Sequence, residues 1–274
     1  MLKTVALGLA LMVVLLLGGW VLIPRERHVQ RAITIEAPGA NVYTLIAGRE
    51  KVLEARPFSS ITTAEARFAL SPDGRGTRVV RSVDVKLNTF ANRRIDAAFG
   101  RGLADLKALA ETMPKTDVSA LVADVVETVP RNVAYVEETS TQDPAAIAAA
   151  IGDGTRKVGA FLKAHGLKPA GPVLTINTRW ADGVYAFDAA IPVDRLPDGA
   201  ADPEVKVKPT YGGRAVKAIH RGAYASLPVT YAQIHAYLAL RSLTSAGTPW
   251  DEYVSDPALT QEPDLITHVY QPVK

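Results

Sequence analysis

From residue 121 to its end the chain states one pattern twice. DVVETVPRNVAYVEE (124–138) is matched by EVKVKPTYGGRAVKAIH (204–220), GAFLKAHGLKPAGPVLTI (159–176) by HAYLALRSLTSAGTPWDEY (235–253), and VYAFDAAIPV (184–193) by LITHVYQPV (265–273), at offsets of roughly 75–85 residues. Each half reads strand, strand, helix, strand, strand, with the helices at 144–165 and 228–241. One helix and one small sheet cannot bury an apolar sheet face alone. Two such halves packed about a pseudo-twofold axis can, and a groove forms where they meet. The repeat therefore predicts an α+β domain over 121–274, with halves 121–193 and 204–273 joined by a linker at 197–203.

Upstream the chain changes character. Residues 2–24 read LKTVALGLALMVVLLLGGWVLIP, and the uncharged run 5–23 ends at Pro24 and the charged RERH. That run is about long enough to cross a bilayer core as a helix. Its exit lacks an A-x-A-like cleavage site, and Trp20 suits a membrane interface. Residues 1–24 are thus expected to be an anchor or signal, with an uncleaved single-pass anchor in a bacterial inner membrane favoured and the rest of the chain outside the cytoplasm. The chain has no cysteine, which excludes a disulfide framework, a thiolate zinc site and a cysteine nucleophile. The net charge of +3 comes from interleaved acids and bases with no basic run, which argues against nucleic acid as a partner.

Between anchor and repeat lies a smaller region. RAITIEAP (31–38) alternates as a strand, VYTLIAGREKVLEA reads as a helix, and RFALSPDGRGTRVVRSVDVKL as strand, turn at Pro72-Asp73-Gly74, strand. ANRRIDAAFGRGLADLKALAETM then carries Ile95, Phe99, Leu103, Leu106 and Leu109 at helical spacing, a packing face against the preceding sheet, and Pro114 ends it. RAITIEAPGANVYTLI at the start and GRGLADLKALAE at the end resemble the SRPBCC superfamily of helix-grip domains. The resemblance implies a shortened domain of that kind at 28–115, lacking several strands of the usual grip.

The repeat itself resembles the GyrI-like domain, also called the AraC effector-binding domain. HRGAYASLPVTYAQIHAYL matches its H-x-G-x-Y followed by a helix. GTPWDEYVSDPALTQEPDLITHVYQPVK matches its G-x-P-aromatic-Glu-x-Tyr-x-x-Asp-Pro, final strand and Pro-Val. The resemblance implies a binding domain for small amphipathic, often cationic molecules, with a groove glutamate that recognises the cation. The matching position here is Asp251, one methylene shorter.

PWDEY sits on a strand of the second half, where alternation puts Asp251 and Tyr253 on one face and Trp250 and Glu252 on the other. One acid is expected in the groove and the other in solvent; a register shift of one would make Glu252 the groove acid. A carboxylate walled by aromatics loses solvation unless a cation or hydrogen bonds compensate. An aromatic face adds cation–π attraction of roughly 0.5–2 kcal/mol. Candidate walls are Tyr224 in the H-x-G-x-Y motif, Trp180 in a loop before a strand, and Tyr185 with Phe187 on a strand face opposite Asp188; Tyr135 and Tyr270 are weaker candidates.

His220, His235 and His268 have no ligand-type spacing, so no metal and no cofactor are expected, and His220 is read as support for the turn at Gly222. GDGTRK (152–157) has the wrong spacing for a P-loop and is read as a break in the first helix. No G-x-S-x-G elbow is present. Three functions follow. The first is a membrane-anchored binder of cationic amphipaths. The second is a hydrolase of electrophilic small molecules with Asp251 or Glu252 as general base, which a second groove acid such as Asp188 or Glu137 would favour. The third is a periplasmic scaffold without catalysis.

Overall fold

The computed structural model describes residues 25–54, 67–87, 89–196 and 202–274. The expected anchor at 1–24 and most of the linker at 197–203 lie outside those residues. Among the described residues no helix is long and apolar enough to cross a membrane. The chain divides into two compact units, Met1–Lys115 and Thr116–Lys274.

The first unit runs β1 (Arg25–Ile35), α1 (Gly39–Glu54), β2 (Arg67–Asp73), β3 (Gly76–Leu87) and α2 (Thr89–Thr112), with its antiparallel sheet in the order β1-β3-β2. The β2–β3 hairpin turns at Gly74, whose φ of +60° favours glycine. Phe99, Leu103, Leu106 and Ala110 of α2 are buried at helical spacing and face a sheet that contributes Ile35 and Val79. Leu109, expected on that stripe, lies at its edge and is half-buried.

The second unit runs β4 (Val122–Thr128), β5 (Asn132–Thr141), α3 (Pro144–Ala164), β6 (Leu174–Ala181), β7 (Val184–Pro192), β8 (Lys206–Pro209), β9 (Gly213–Arg221), a 3₁₀ turn (Tyr224–Ser226), α4 (Leu227–Leu240), β10 (Trp250–Tyr253) and β11 (Ile266–Pro272). Asp143 caps α3 by accepting from Ala145 N and Ala146 N, both at 3.0 Å, and Pro144 occupies the first helical turn. The predicted break at 152–157 is absent, and α3 is continuous. Gly154 lies where the helix meets β7: a Cβ there would stand 2.6 Å from the Cβ of Ala189. Glycine at this point lets the helix close on the sheet rather than breaking it.

All eight strands of this unit form one sheet, in the order β4-β9-β11-β10-β6-β7-β5-β8. Val158, Phe161 and Leu162 of α3 pack on β5 and β7 through Val136, Phe187 and Ala189. Ile234 and Leu238 of α4 pack on β9 and β11 through Val216, Ala218 and Val269. Both helices thus cover one face of the sheet, each over its own half, and β6 and β10 lie at the centre. Their register sets Asp251 opposite Thr175. Tyr253 N bonds Val173 O and Asn177 N bonds Pro249 O, both at 2.9 Å. A shift of 76 residues exchanges each of these pairs, so the pseudo-twofold axis runs through the Thr175–Asp251 pair.

The halves are not self-contained, as the repeat alone would have them. β4 pairs with β9 of the second half, and β8 pairs with β5 of the first. β4 and β5 stand six places apart in the sheet, as do β8 and β9. In a flat sheet that separation would be about 29 Å. Four residue steps, Thr128 to Asn132 and Pro209 to Gly213, reach only about 14 Å. The sheet therefore curls strongly, and the two connections cross side by side. Arg131 N donates to Thr210 Oγ1 at 2.9 Å and Thr210 N to Arg131 O at 2.8 Å. A Cβ on Gly212 would stand 2.4 Å from Pro130 Cγ. The crossing forms a strap over the helix-free face, where Tyr211 meets Trp250 with ring centroids 6.1 Å apart.

Candidate functional site

Asp251 points to the helix side and is 3% exposed. Tyr231, one turn into α4, donates from its hydroxyl to Oδ1 at 2.7 Å. From β6, Asn177 Nδ2 donates to Oδ2 at 3.2 Å and Thr175 Oγ1 at 3.4 Å. The network continues outward: Tyr185 donates to Asn177 Oδ1, Asn177 Nδ2 also reaches the Tyr231 hydroxyl at 2.6 Å, and Tyr253 Oη lies 3.3 Å from Thr175 Oγ1. Every donor on the carboxyl is neutral, and among the described residues no base forms an ion pair with it. Burial therefore dominates and pushes the carboxyl from 3.8 up to about 6, against the opposing pull of its three hydrogen bonds. Burial, with the nearby carboxylate, holds the phenols of Tyr231, Tyr253 and Tyr185 above their ordinary value, so they remain donors.

Aromatic rings continue from the acid on both sides. Tyr185 stacks on Phe187 at 4.5 Å and meets Trp180 at 5.1 Å. Tyr224, in the 3₁₀ turn before α4, meets Tyr253 edge-on at 5.3 Å. Trp180 is not in a loop: it lies on β6, past a bulge at Asn177/Arg179 that sets it opposite Tyr185, and it is 54% exposed. Of the residues singled out from the sequence, Asp251, Tyr253, Tyr224, Tyr185, Phe187 and Trp180 lie on this helix side of the sheet, with Tyr185 and Phe187 in the core cluster beneath α3.

Trp250 and Glu252 face the other way, as strand alternation requires. Glu252 is not solvated as expected, being 7% exposed. The strap covers it, Arg131 pairs with it, and Tyr270 Oη donates to it at 3.4 Å. Asp188 also lies on the helix-free side, paired with Lys208, and Glu137 is exposed and paired with Lys206. Neither supplies a second acid to the groove. Tyr135 and Tyr270 likewise belong to the helix-free face, Tyr135 beneath the Lys208 ammonium at 4.2 Å. His220 holds the turn at Gly222: its ring nitrogens contact Thr230 Oγ1 at 2.8 Å and Ala223 O at 3.1 Å.

Sequence reasoning missed Tyr231, Asn177 and Thr175. The repeat carries a signal for the last two, since the 76-residue shift that relates the halves maps Asp251 onto Thr175 and Tyr253 onto Asn177.

A pseudo-twofold sheet with paired helices and one buried acid between tyrosines defines a small-molecule binding domain. The profile of the GyrI-like small molecule binding domain matches residues 124–274, more than half of the chain, and the chain belongs to that family. Among solved structures, EcmrR in its cryo-EM complex with DNA is similar at 15% identity and a TM-score of 0.51, over 66% of this chain and 66% of that chain. The EcmrR C-terminal domain is similar at 17% identity and a TM-score of 0.49, over 56% of this chain and 98% of that one. SAV2435, solved with bound tetraphenylphosphonium, is similar at 13% identity and a TM-score of 0.37, over 56% and 94%. At 15% identity the likeness to EcmrR in its DNA complex is one of fold. No curated protein matches the chain.

Proposed function

We propose that this chain captures small amphipathic cations in the groove between α3 and α4, with Asp251 as the charge-recognising group. One observation carries the reading: a carboxyl buried on the pseudo-twofold axis, ringed by tyrosines, with neutral donors and no cationic partner among the described residues. A buried acid of this kind lacks the countercharge that would stabilise its ionised form. A lipophilic cation supplies that charge, and the tyrosine faces add cation–π attraction. Tyr231 stands over the acid, so a ligand enters by displacing its hydroxyl from Oδ1. Trp180 and Tyr224 form the outer walls. Binding is favoured over turnover because neither Asp188 nor Glu137 stands in the groove as a second acid.

The wider setting completes the proposal. Residues 5–23 anchor the chain in a bacterial inner membrane, with the domains in the periplasm. Residues 28–115 form a reduced helix-grip module, and 121–274 do the sensing or sequestering. The test is calorimetric titration of the full chain with tetraphenylphosphonium and with a neutral tetraphenyl analogue, at pH 7.5 and pH 5. Cation-selective binding that weakens as Asp251 takes up its proton, and that is lost in Asp251→Asn, is expected. Equal affinity for the neutral analogue, or for the variant, would refute the cation reading.

A further inference from the structure

The helix-free face holds a second candidate site. Beneath the strap lies a cavity of about 390 Å³, within the range of small-molecule pockets. One wall carries Trp250 and Tyr270 stacked face to face on each other, with centroids 4.6 Å apart and planes within 5°. Tyr211 of the strap leans on Trp250 from above. The charges are unequal in their freedom. Arg131 and Glu252 neutralise each other at the cavity wall. Glu127 is exposed at the rim with Arg214 as its cross-strand neighbour. Lys217 is different: its ammonium stands 5.8 Å from the Tyr270 ring centroid. Among the described residues it forms no ion pair, not even with its cross-strand neighbour Asp124. Asp188 is held by Lys208 further along the same face.

We propose that this cavity is a second ligand site that takes a flat aromatic anion, its ring packed against the Trp250–Tyr270 stack beside Tyr211 and its carboxylate or sulfonate on Lys217. The charge preference is the reverse of that set by Asp251, and the two sites lie on opposite faces of the same strand, β10. The proposal does not depend on what the helix-side groove binds. The strap explains why the site is built at all: both crossing connections are short and bonded to each other, so the roof is fixed before a ligand arrives.

The test uses 2-naphthoate as probe on the full chain, followed by calorimetry, with 2-naphthalenemethanol as the uncharged comparison. Naphthoate is expected to bind at least about tenfold more tightly than the alcohol, the scale of one charge-assisted hydrogen bond. Lys217→Gln should remove that advantage, Lys217→Arg should restore most of it, and binding should persist in Asp251→Asn. Lys217 is half-buried on a strand and makes no ion pair among the described residues, so urea unfolding of Lys217→Gln should match the parent and exclude a folding defect. The proposal is overturned by no binding at about 1 mM naphthoate, by equal binding in Lys217→Gln, or by loss of naphthoate binding in Asp251→Asn, which would move the anion to the other face.

Discussion

Replacing Asp251 by asparagine should change how stability depends on pH more than it changes stability itself. The folded carboxyl titrates at about 6 and the unfolded one at 3.8. Well below 3.8 both states hold the proton, and the difference between them has no effect. As the pH rises towards 6, the unfolded chain ionises freely while the folded one must keep its proton or bear a buried charge. The parent domain therefore loses stability over this window, by about 3 kcal/mol once the pH has passed 6. Asparagine keeps the shape and does not titrate. It also loses or reorients hydrogen bonds with Tyr231, Asn177 and Thr175, but that loss is independent of pH. Other titrating groups are common to both proteins and cancel in the difference. Urea unfolding at pH 4 to 8, read by tryptophan fluorescence, reports the domain, because Trp180 and Trp250 both lie in it and only Trp20 lies elsewhere. Parent minus variant should fall by about 2.5 kcal/mol between pH 4 and 7. A flat difference would mean the acid is solvated. A rise would mean a cationic partner stabilises its charged form.

Two further outcomes follow from the same geometry. Tyr231→Phe removes the 2.7 Å donor to Oδ1, so the Asp251 carboxyl should titrate higher still in carbon-detected NMR, with a loss of about 1–2 kcal/mol in urea unfolding; an unmoved titration would remove Tyr231 from the site. Gly154→Ala forces a Cβ to within 2.6 Å of Ala189 and should destabilise by about 1–3 kcal/mol. Gly152→Ala, on the same helix with nothing within 4 Å, should stabilise by up to about 1 kcal/mol, and a matching loss at both positions would contradict the close approach of α3 to β7.

What could be read from the residues is local. Alternation within PWDEY sets Asp251 and Tyr253 together against Trp250 and Glu252, because a strand has no other way to arrange four consecutive side chains. The repeat gives the order of elements in each half, because hydrophobic spacing and turn residues act over a few positions. The pairing of β4 with β9 and β8 with β5 has no such local signature. It follows from how two curled halves close on each other. The fate of Glu252 goes with it: nothing near residue 252 announces that Arg131, more than 100 residues earlier, will be brought across by the strap. Gly154 misleads for the opposite reason. Its helix propensity is poor, and only the position of Ala189 shows that the missing Cβ is what the packing needs.

The exchanged strands also set a schedule for how the domain is made. Val122 of β4 pairs with Ile219, roughly 100 residues later in the chain. When the first half leaves the ribosome, β4 has no neighbour and β5 lacks its outer one, so an open edge waits until β8 and β9 have been synthesised. Closure by such distant partners is slow compared with local pairing. A chain cut within the linker at 197–203 should thus give two fragments that need one another to fold. An excess of either one would leave strands free to trade between identical copies, a rehearsal of the duplication that the repeat records.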